Sequence, residues 1–322
     1  MSGRPSILCP IEFSGASAGA LRYAAAIADH FAARLIVLSV EDPLPADAAD
    51  VSTGVRWTPE ERRHEIKQFA ASTFGADPPT HAALEYEALA GKPAPAILRL
   101  ARARSCDLIV ISSHGLTGTR KQFFGSTTER ILRETTKPVL ITPPVDPGPA
   151  RIEDATRLIR RILVPVDLSW ASIHQTKMAR SLAEALDVRL ILAHVIEPAK
   201  SRLASNLNLA QDEADRRSAA HDAMAELMAT IPLRLQAEAL VAYGDPAREL
   251  ARVAHDRQAG LVVMGLHGSP LLGPRMGSVT YRLLCLCPTL VLALPPQPRA
   301  VFERQPGVVC ASSHGSGCEP VA

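Results

Sequence analysis

Two stretches of this sequence carry residues suited to holding a phosphorylated ligand. The first runs Ser112-Ser113-His114-Gly115, then nine residues, then Gly125-Ser126. The second runs Gly265-Leu266-His267-Gly268, then eight residues, then Gly277-Ser278. Glycine has no Cβ, so its amide can approach a phosphate oxygen closely. Each Gly-Ser pair opens a helical pattern that continues through Thr127 or Val279. N–H groups at a helix start, together with the helix dipole, favour an anion. His114 and His267 hold matching places, and each could donate to phosphate or fix its loop by bonding a carbonyl. Ser126 with Glu129 also fits a capping box, which would need no ligand. Arg120, Lys121 and Arg275 could draw in phosphate or be solvated surface charge.

Two carboxylates come next. Pro10-Ile11-Glu12 and Pro165-Val166-Asp167 each end an apolar run with an acid. Such an acid can accept hydrogen bonds from a ligand's hydroxyl or amino group. It could equally serve the first turn of a helix, since Ser14 and Ser169 follow. Val40 and Val195 end another matched pair of runs. Their backbone groups could meet an adenine edge, although core packing explains the side chains as well. Cys310, His314 and Cys318 near the C-terminus offer three soft donors, but at no recognised zinc spacing. Walker-type, H-E-x-x-H and nucleophile-elbow patterns do not occur. Neither a general base nor a phosphate-clamping lysine stands out, which makes ATP hydrolysis the weakest reading.

The elements that must position these residues occur twice. ILCPIEFS at 7–14 answers ILVPVDLS at 162–169, and RLIVLSVEDP at 34–43 answers RLILAHVIEP at 189–198, both at an offset of 155. DLIVISSHG at 107–115 answers GLVVMGLHG at 260–268 at an offset of 153, and GSTTERIL at 125–132 answers GSVTYRLL at 277–284 at 152. Matches in the same order with a slowly drifting offset indicate duplication of a whole domain. Each half alternates short apolar runs with helical patterns, β-α-β-α-β-α-β-α-β. LIVLSV (35–40), DLIVIS (107–112) and PVLIT (138–142) suit strands buried on both faces of a parallel sheet. ALRYAAAIADHF (20–31) places Leu21, Ala24, Ala25, Ala28 and Phe31 on one helical face. PAILRLARA (95–103) follows Gly91 and Pro93 as a turn and a helix start. Residues 206–230, with Asp222 and Glu226, form a solvated helix face. The fold class is α/β: two tandem doubly wound five-stranded parallel sheets, with ligands expected beyond the strands' carboxyl ends at the switch in strand order. Domains are expected at 1–147 and 148–298, with a disordered tail at 299–322. PPVDPGP (143–149) is a break between them that continues neither sheet nor helix. IEDATRLI (152–159) suggests a helical turn or two.

The 322 residues are 47% hydrophobic and 21% charged with formal net charge +2, a soluble composition that suggests neither nucleic acid nor a membrane as partner. No apolar run approaches the ~20 residues of a membrane span. Six cysteines in so long a chain are no disulfide framework, so a reducing, cytoplasmic protein is expected, with Cys9 and Cys106 as small hydrophobes.

These motifs resemble the universal stress protein family over about residues 5–143 and 160–295. The resemblance rests on ILVPVDLS, Val195 before a Pro turn, the G-x-x-G, and Gly-Ser opening a helix before a Pro-led last strand. It implies a five-stranded parallel sheet of the adenine nucleotide alpha hydrolase-like kind. It also implies ATP or AMP as cofactor, with magnesium accompanying ATP. The implied site residues are an acid ending strand one and a G-x2-G-x9-G-[ST] loop. Family members pair through their last strands, so the two halves are expected to pair within the chain, and a homodimer is a further expectation. This sequence has Ser112 where the family's first glycine falls and Glu12 where its aspartate falls. Ser112 would be disfavoured if its backbone were left-handed. The second loop is one residue short and contains Pro270 and Pro274, which lack N–H donors. The resemblance thus implies a nucleotide-binding stress-response protein working through protein partners. The alternative is a scaffold or sensor whose pockets hold no nucleotide.

Overall fold

The computed structural model describes residues 4–42, 58–113, 125–143, 146–149, 151, 154, 158–198, 206–266 and 277–296. The first half contributes strands β1 (Ser6–Ile11), β2 (Arg34–Glu41), β3 (Ala83–Ala90), β4 (Leu108–Ser112) and β5 (Val139–Thr142). Its helices are α1 (Gly15–His30), α2 (Pro59–Phe74), α3 (Pro93–Ala103) and α4 (Ser126–Glu134). The second half repeats the plan with β6 (Arg161–Pro165), β7 (Arg189–Ile196), β8 (Glu238–Tyr243), β9 (Leu261–Gly265) and β10 (Leu290–Leu294). Its helices are α5 (Trp170–Leu186), α6 (Asn206–Ala229), α7 (Pro246–Asp256) and α8 (Ser278–Leu286).

The two halves share one sheet in the order β3-β2-β1-β4-β5-β10-β9-β6-β7-β8. Pairing is parallel within each half and antiparallel at the single seam between β5 and β10. At that seam Leu140 faces Leu292, and these positions differ by the repeat offset of 152 seen in the sequence. The seam is therefore a local two-fold axis, and the last strands pair within the chain. It also points the carboxyl ends of the two sets of strands toward opposite edges of the sheet.

Alternation along the central strands fills two cores. Ile7, Cys9 and Ile11 join α1 and α2 on one face, while Leu8 joins Ile36, Ile97 and Ile131 on the other. All of β1 is buried, as the unbroken apolar run requires in a parallel sheet covered on both sides. α1 starts five residues before the sequence pattern suggested, because Ser14 caps it by accepting from the Ser17 amide at 3.1 Å. Leu21, Ala24, Ala25 and Ala28 are fully buried as expected. Phe31 is not: it lies at the helix C-cap, past the last turn, and is 43% exposed. α3 likewise begins at Pro93, which fills the first helical position after Gly91 at φ 136°. Asp222 and Glu226 are exposed on α6.

The break between the halves is docked at both ends by glycines. A Cβ on Gly19 would lie 2.1 Å from the Asp146 carbonyl oxygen, and one on Gly260 would lie 2.2 Å from that of Leu158. Tyr23 donates its hydroxyl to Asp146 at 2.7 Å. The helical turn suggested over 152–159 falls largely outside the described residues.

Candidate functional site

The chemistry of each half is set by a fork in its sheet. Strand order reverses between β1 and β4, and their ladder covers only Ile7↔Leu108 and Leu8↔Ile109. Beyond that, β1 follows β2 while β4 follows β5. The same fork separates β6 from β9 after Leu163↔Val262. In open α/β sheets such a switch point is where ligands enter.

At the first fork a cleft of about 140 Å³ brings together Pro10, Ile11, Glu12, Val40, Ser112, Gly125, Ser126 and Thr127. These are eight of the ten first-half residues singled out by sequence; the others, His114 and Gly115, lie outside the described residues. Ser17, Pro93, Ile97, Ile111 and Thr128 complete the walls and had no distinguishing signal in the sequence. Ordinary small-molecule sites enclose roughly 300–1,000 Å³, so the described walls have room for only part of such a ligand.

Local bonds fix each wall. Thr128 Oγ1 donates to the Ser112 carbonyl at 2.9 Å, and the Gly125 amide donates to the Ser113 carbonyl at 3.1 Å. The second half repeats both, from Thr280 Oγ1 to Gly265 at 3.1 Å and from the Gly277 amide to Leu266 at 3.2 Å. The ends of each loop are thus held together despite the one-residue difference in length. Gly125 is the N-cap of α4, and Ser126 is the first helical residue. The capping box is therefore not formed: Glu129 instead accepts from Arg133 at 2.6 Å. With glycine at the cap, that position offers no side chain to accept from the first N–H groups, and such a helix start favours an anion.

The residue after each acid is left-handed, Phe13 at φ 62° and Leu168 at φ 59°. A bulky residue there is strained. Phe13 is held by an edge-on contact with Phe69, ring centroids 5.4 Å apart, and by the Arg62 guanidinium over its ring. The kink lets Ser14 cap α1 while donating to Glu12 Oε1 at 3.0 Å. Asp167 is held by three donors. Its Oδ1 accepts from the Ser169 amide at 3.0 Å, Ser169 Oγ at 2.6 Å and Ser172 Oγ at 2.5 Å.

Ser112 does not suffer the strain expected of it. It and Gly265 end regular parallel strands, and neither has a positive φ. Either residue fits, because a strand end demands no left-handed backbone.

In the second half Pro165, Val166, Asp167, Val195, Gly265, Gly277, Ser278 and Val279 occupy the equivalent places around β6, β7, β9 and α8. His267, Gly268, Pro270, Pro274 and Arg275 lie outside the described residues, as do Arg120, Lys121, Cys310, His314 and Cys318. A larger hollow of about 570 Å³ lies at the other ends of the second-half strands, lined by Arg160, Arg161 and Arg189 among others. No residue expected to bind ligand borders it.

The comparisons agree with this architecture. A sequence model of the universal stress protein family matches residues 4–143 and 158–295. Universal stress protein Rv3134c of Mycobacterium tuberculosis is 29% identical over 173 residues, 53% of this chain and 59% of its own length. This chain therefore spans less than two thirds of that relative. Universal stress protein YxiE of Bacillus subtilis is 30% identical over 145 residues, 42% of this chain and 96% of its own. Among solved structures, PA1789 from Pseudomonas aeruginosa superposes with a TM-score of 0.60 at 19% identity, covering 91% of this chain and 93% of its own. A universal stress protein from Archaeoglobus fulgidus gives 0.58 at 18% identity, covering 90% and 96%. At such identities these structures speak to the fold alone. With both halves matched and the fold shared, this chain belongs to the universal stress protein family, as two of its domains in tandem.

Proposed function

We propose that this protein binds an adenine nucleotide, ATP or AMP, and reports its occupancy to protein partners as a cytoplasmic stress-response protein. The observation that carries the binding is the first-half cleft, where eight residues chosen from sequence meet around one fork. Each supplies a different part of nucleotide recognition. Val40, Ile97 and Ile111 offer an apolar slot for a planar base. Glu12 offers a carboxylate for a ribose hydroxyl. The Ser126, Thr127 and Thr128 amides at the start of α4 offer donors and a positive helix end for phosphate. Among the described residues no group of three His, Cys, Asp or Glu is placed to hold a metal. Magnesium accompanying ATP would then be held through the phosphates, as that ion commonly is. The stress-response role, the partners and the compartment rest on family membership.

The test is native mass spectrometry of the purified chain, followed by nucleotide extraction and titration with ATP and AMP. A bound mass matching either nucleotide is the expected result. A bare chain that ignores both would retire the nucleotide and leave a scaffold acting through partners.

A further inference from the structure

We propose that the two halves are unequal: a phosphate-bearing nucleotide is taken by the first half alone, because Gln175 occupies the second fork and an Asp245–Arg282 bridge neutralises the charge beside it. The proposal rests on the nucleotide reading above, and it names where that reading operates.

The first observation lies at the second fork. Gln175, on α5, is 8% exposed. Its Nε2 donates to the Pro165 carbonyl at 2.5 Å and the Val263 carbonyl at 3.0 Å, and its Oε1 accepts from the Gly265 amide at 3.0 Å. One carboxamide thus staples β6 to β9 where they part, and engages three backbone groups at the fork. The repeat offset of 155 puts Ala20 in this place in the first half, and a methyl group can make none of these bonds. The neighbouring residue is exchanged in step. A Cβ on Gly265 would stand 3.4 Å from Gln175 Oε1, while the first half pairs Ala20 with Ser112.

The second observation is independent and lies at the helix starts beside each fork. In the first half the cleft is bordered by Pro93 at the start of α3 and by the first turn of α4. The equivalent helix starts in the second half are bolted together. Asp245, the N-cap of α7, receives two bonds from Arg282 on α8, at 2.8 and 3.0 Å. The corresponding first-half residues are Lys92 and Arg130, two cations that cannot form this bridge. Arg130 turns to Glu134 at 2.9 Å, and Lys92 is exposed without a partner among the described residues. The helix start beside the first cleft therefore carries an uncompensated lysine, while its counterpart in the second half carries a matched pair.

Native mass spectrometry of the full chain against rising ATP tests this. Wild type should saturate at one ATP per chain, and Gly125→Val should bind none. Lys92→Asp, on the surface and away from the core, should weaken ATP at least about fivefold and flatten its salt dependence. Asp245→Lys combined with Gln175→Ala, which removes both the bridge and the bonds across the fork, should add weak second-site binding. Two ATP per wild-type chain, or one retained by Gly125→Val, would overturn the asymmetry while leaving nucleotide binding intact. No ATP on wild type at any concentration would instead sink the nucleotide reading itself.

Discussion

Replacing Gln175 by alanine isolates one polar side chain whose loss the structure makes expensive. The change removes three hydrogen bonds from a residue that is 8% exposed. Two carbonyls and one amide then lose their partner at the fork between β6 and β9. A buried backbone group left unsatisfied costs about 1–3 kcal/mol. Water entering the vacated space recovers part of this, so the lower end applies to each group and the total is about 3 kcal/mol. Gln175→Leu leaves no such space for water and should cost at least as much. The assay is urea unfolding, with the free energy taken from midpoint and slope. A second substitution makes the argument strict. Gly265→Ser in the Gln175→Ala background recreates the Ala20–Ser112 pair of the first half, and should recover part of the loss as a favourable coupling. If Gln175→Ala costs less than about 0.5 kcal/mol, or if the two changes simply add, those backbone groups do not depend on Gln175 and the reasoning fails.

Gly19→Ala should cost about 1–3 kcal/mol and speed proteolysis within 143–149, because the new methyl would lie 2.1 Å from the Asp146 carbonyl oxygen. Unchanged melting and cleavage would contradict that docking. The Arg282 guanidinium, and then the Arg248 amide, hold the Asp245 carboxyl below its ordinary range. A depressed folded value contributes stability above the unfolded pKa of about 3.9 and loses it as pH falls through the folded one. The urea midpoints of wild type and Asp245→Asn should therefore differ at pH 7 and converge toward pH 3; a gap that widens on acidification has the wrong sign. Cys9 and Cys106 are fully buried, and burial pushes the Cys287 thiol up to about 11. All three should resist iodoacetamide at pH 8 until the protein unfolds, as peptide mass spectrometry would show; rapid labelling of native Cys287 would refute this.

The sequence exposed most of the frame because the frame is repeated. An offset of 152 to 155 matched Ser112 with Gly265 and Gly125 with Gly277, and the structure puts each pair at the same point of its half. Unbroken apolar runs located the buried strands, since a parallel sheet covered on both faces leaves no polar alternation to interpret. What stayed hidden depends on tertiary partners. Gln175 has no periodic signature; its meaning comes from carbonyls ten and 88 positions away. Asp245 and Arg282 are 37 positions apart, and nothing local joins them. Ser126 with Glu129 had the spacing of a capping box, but Gly125 occupies the cap and Arg133 takes the glutamate. The left-handed turns at Phe13 and Leu168 were invisible for the opposite reason: the residue types argue against them, and packing enforces them.

The seam between β5 and β10 has a consequence for how the protein behaves on dilution. Two separate copies meeting through such strands would obey mass action, and their pairing would fade as concentration dropped. Here the partners are tethered by residues 144–160, so each strand meets the other at an effective concentration fixed by the tether. The ten-stranded sheet should accordingly hold together equally at nanomolar and micromolar chain, with a melting temperature independent of concentration. Each half can then diverge in what it binds without losing its neighbour, because their union no longer depends on how many copies the cell makes.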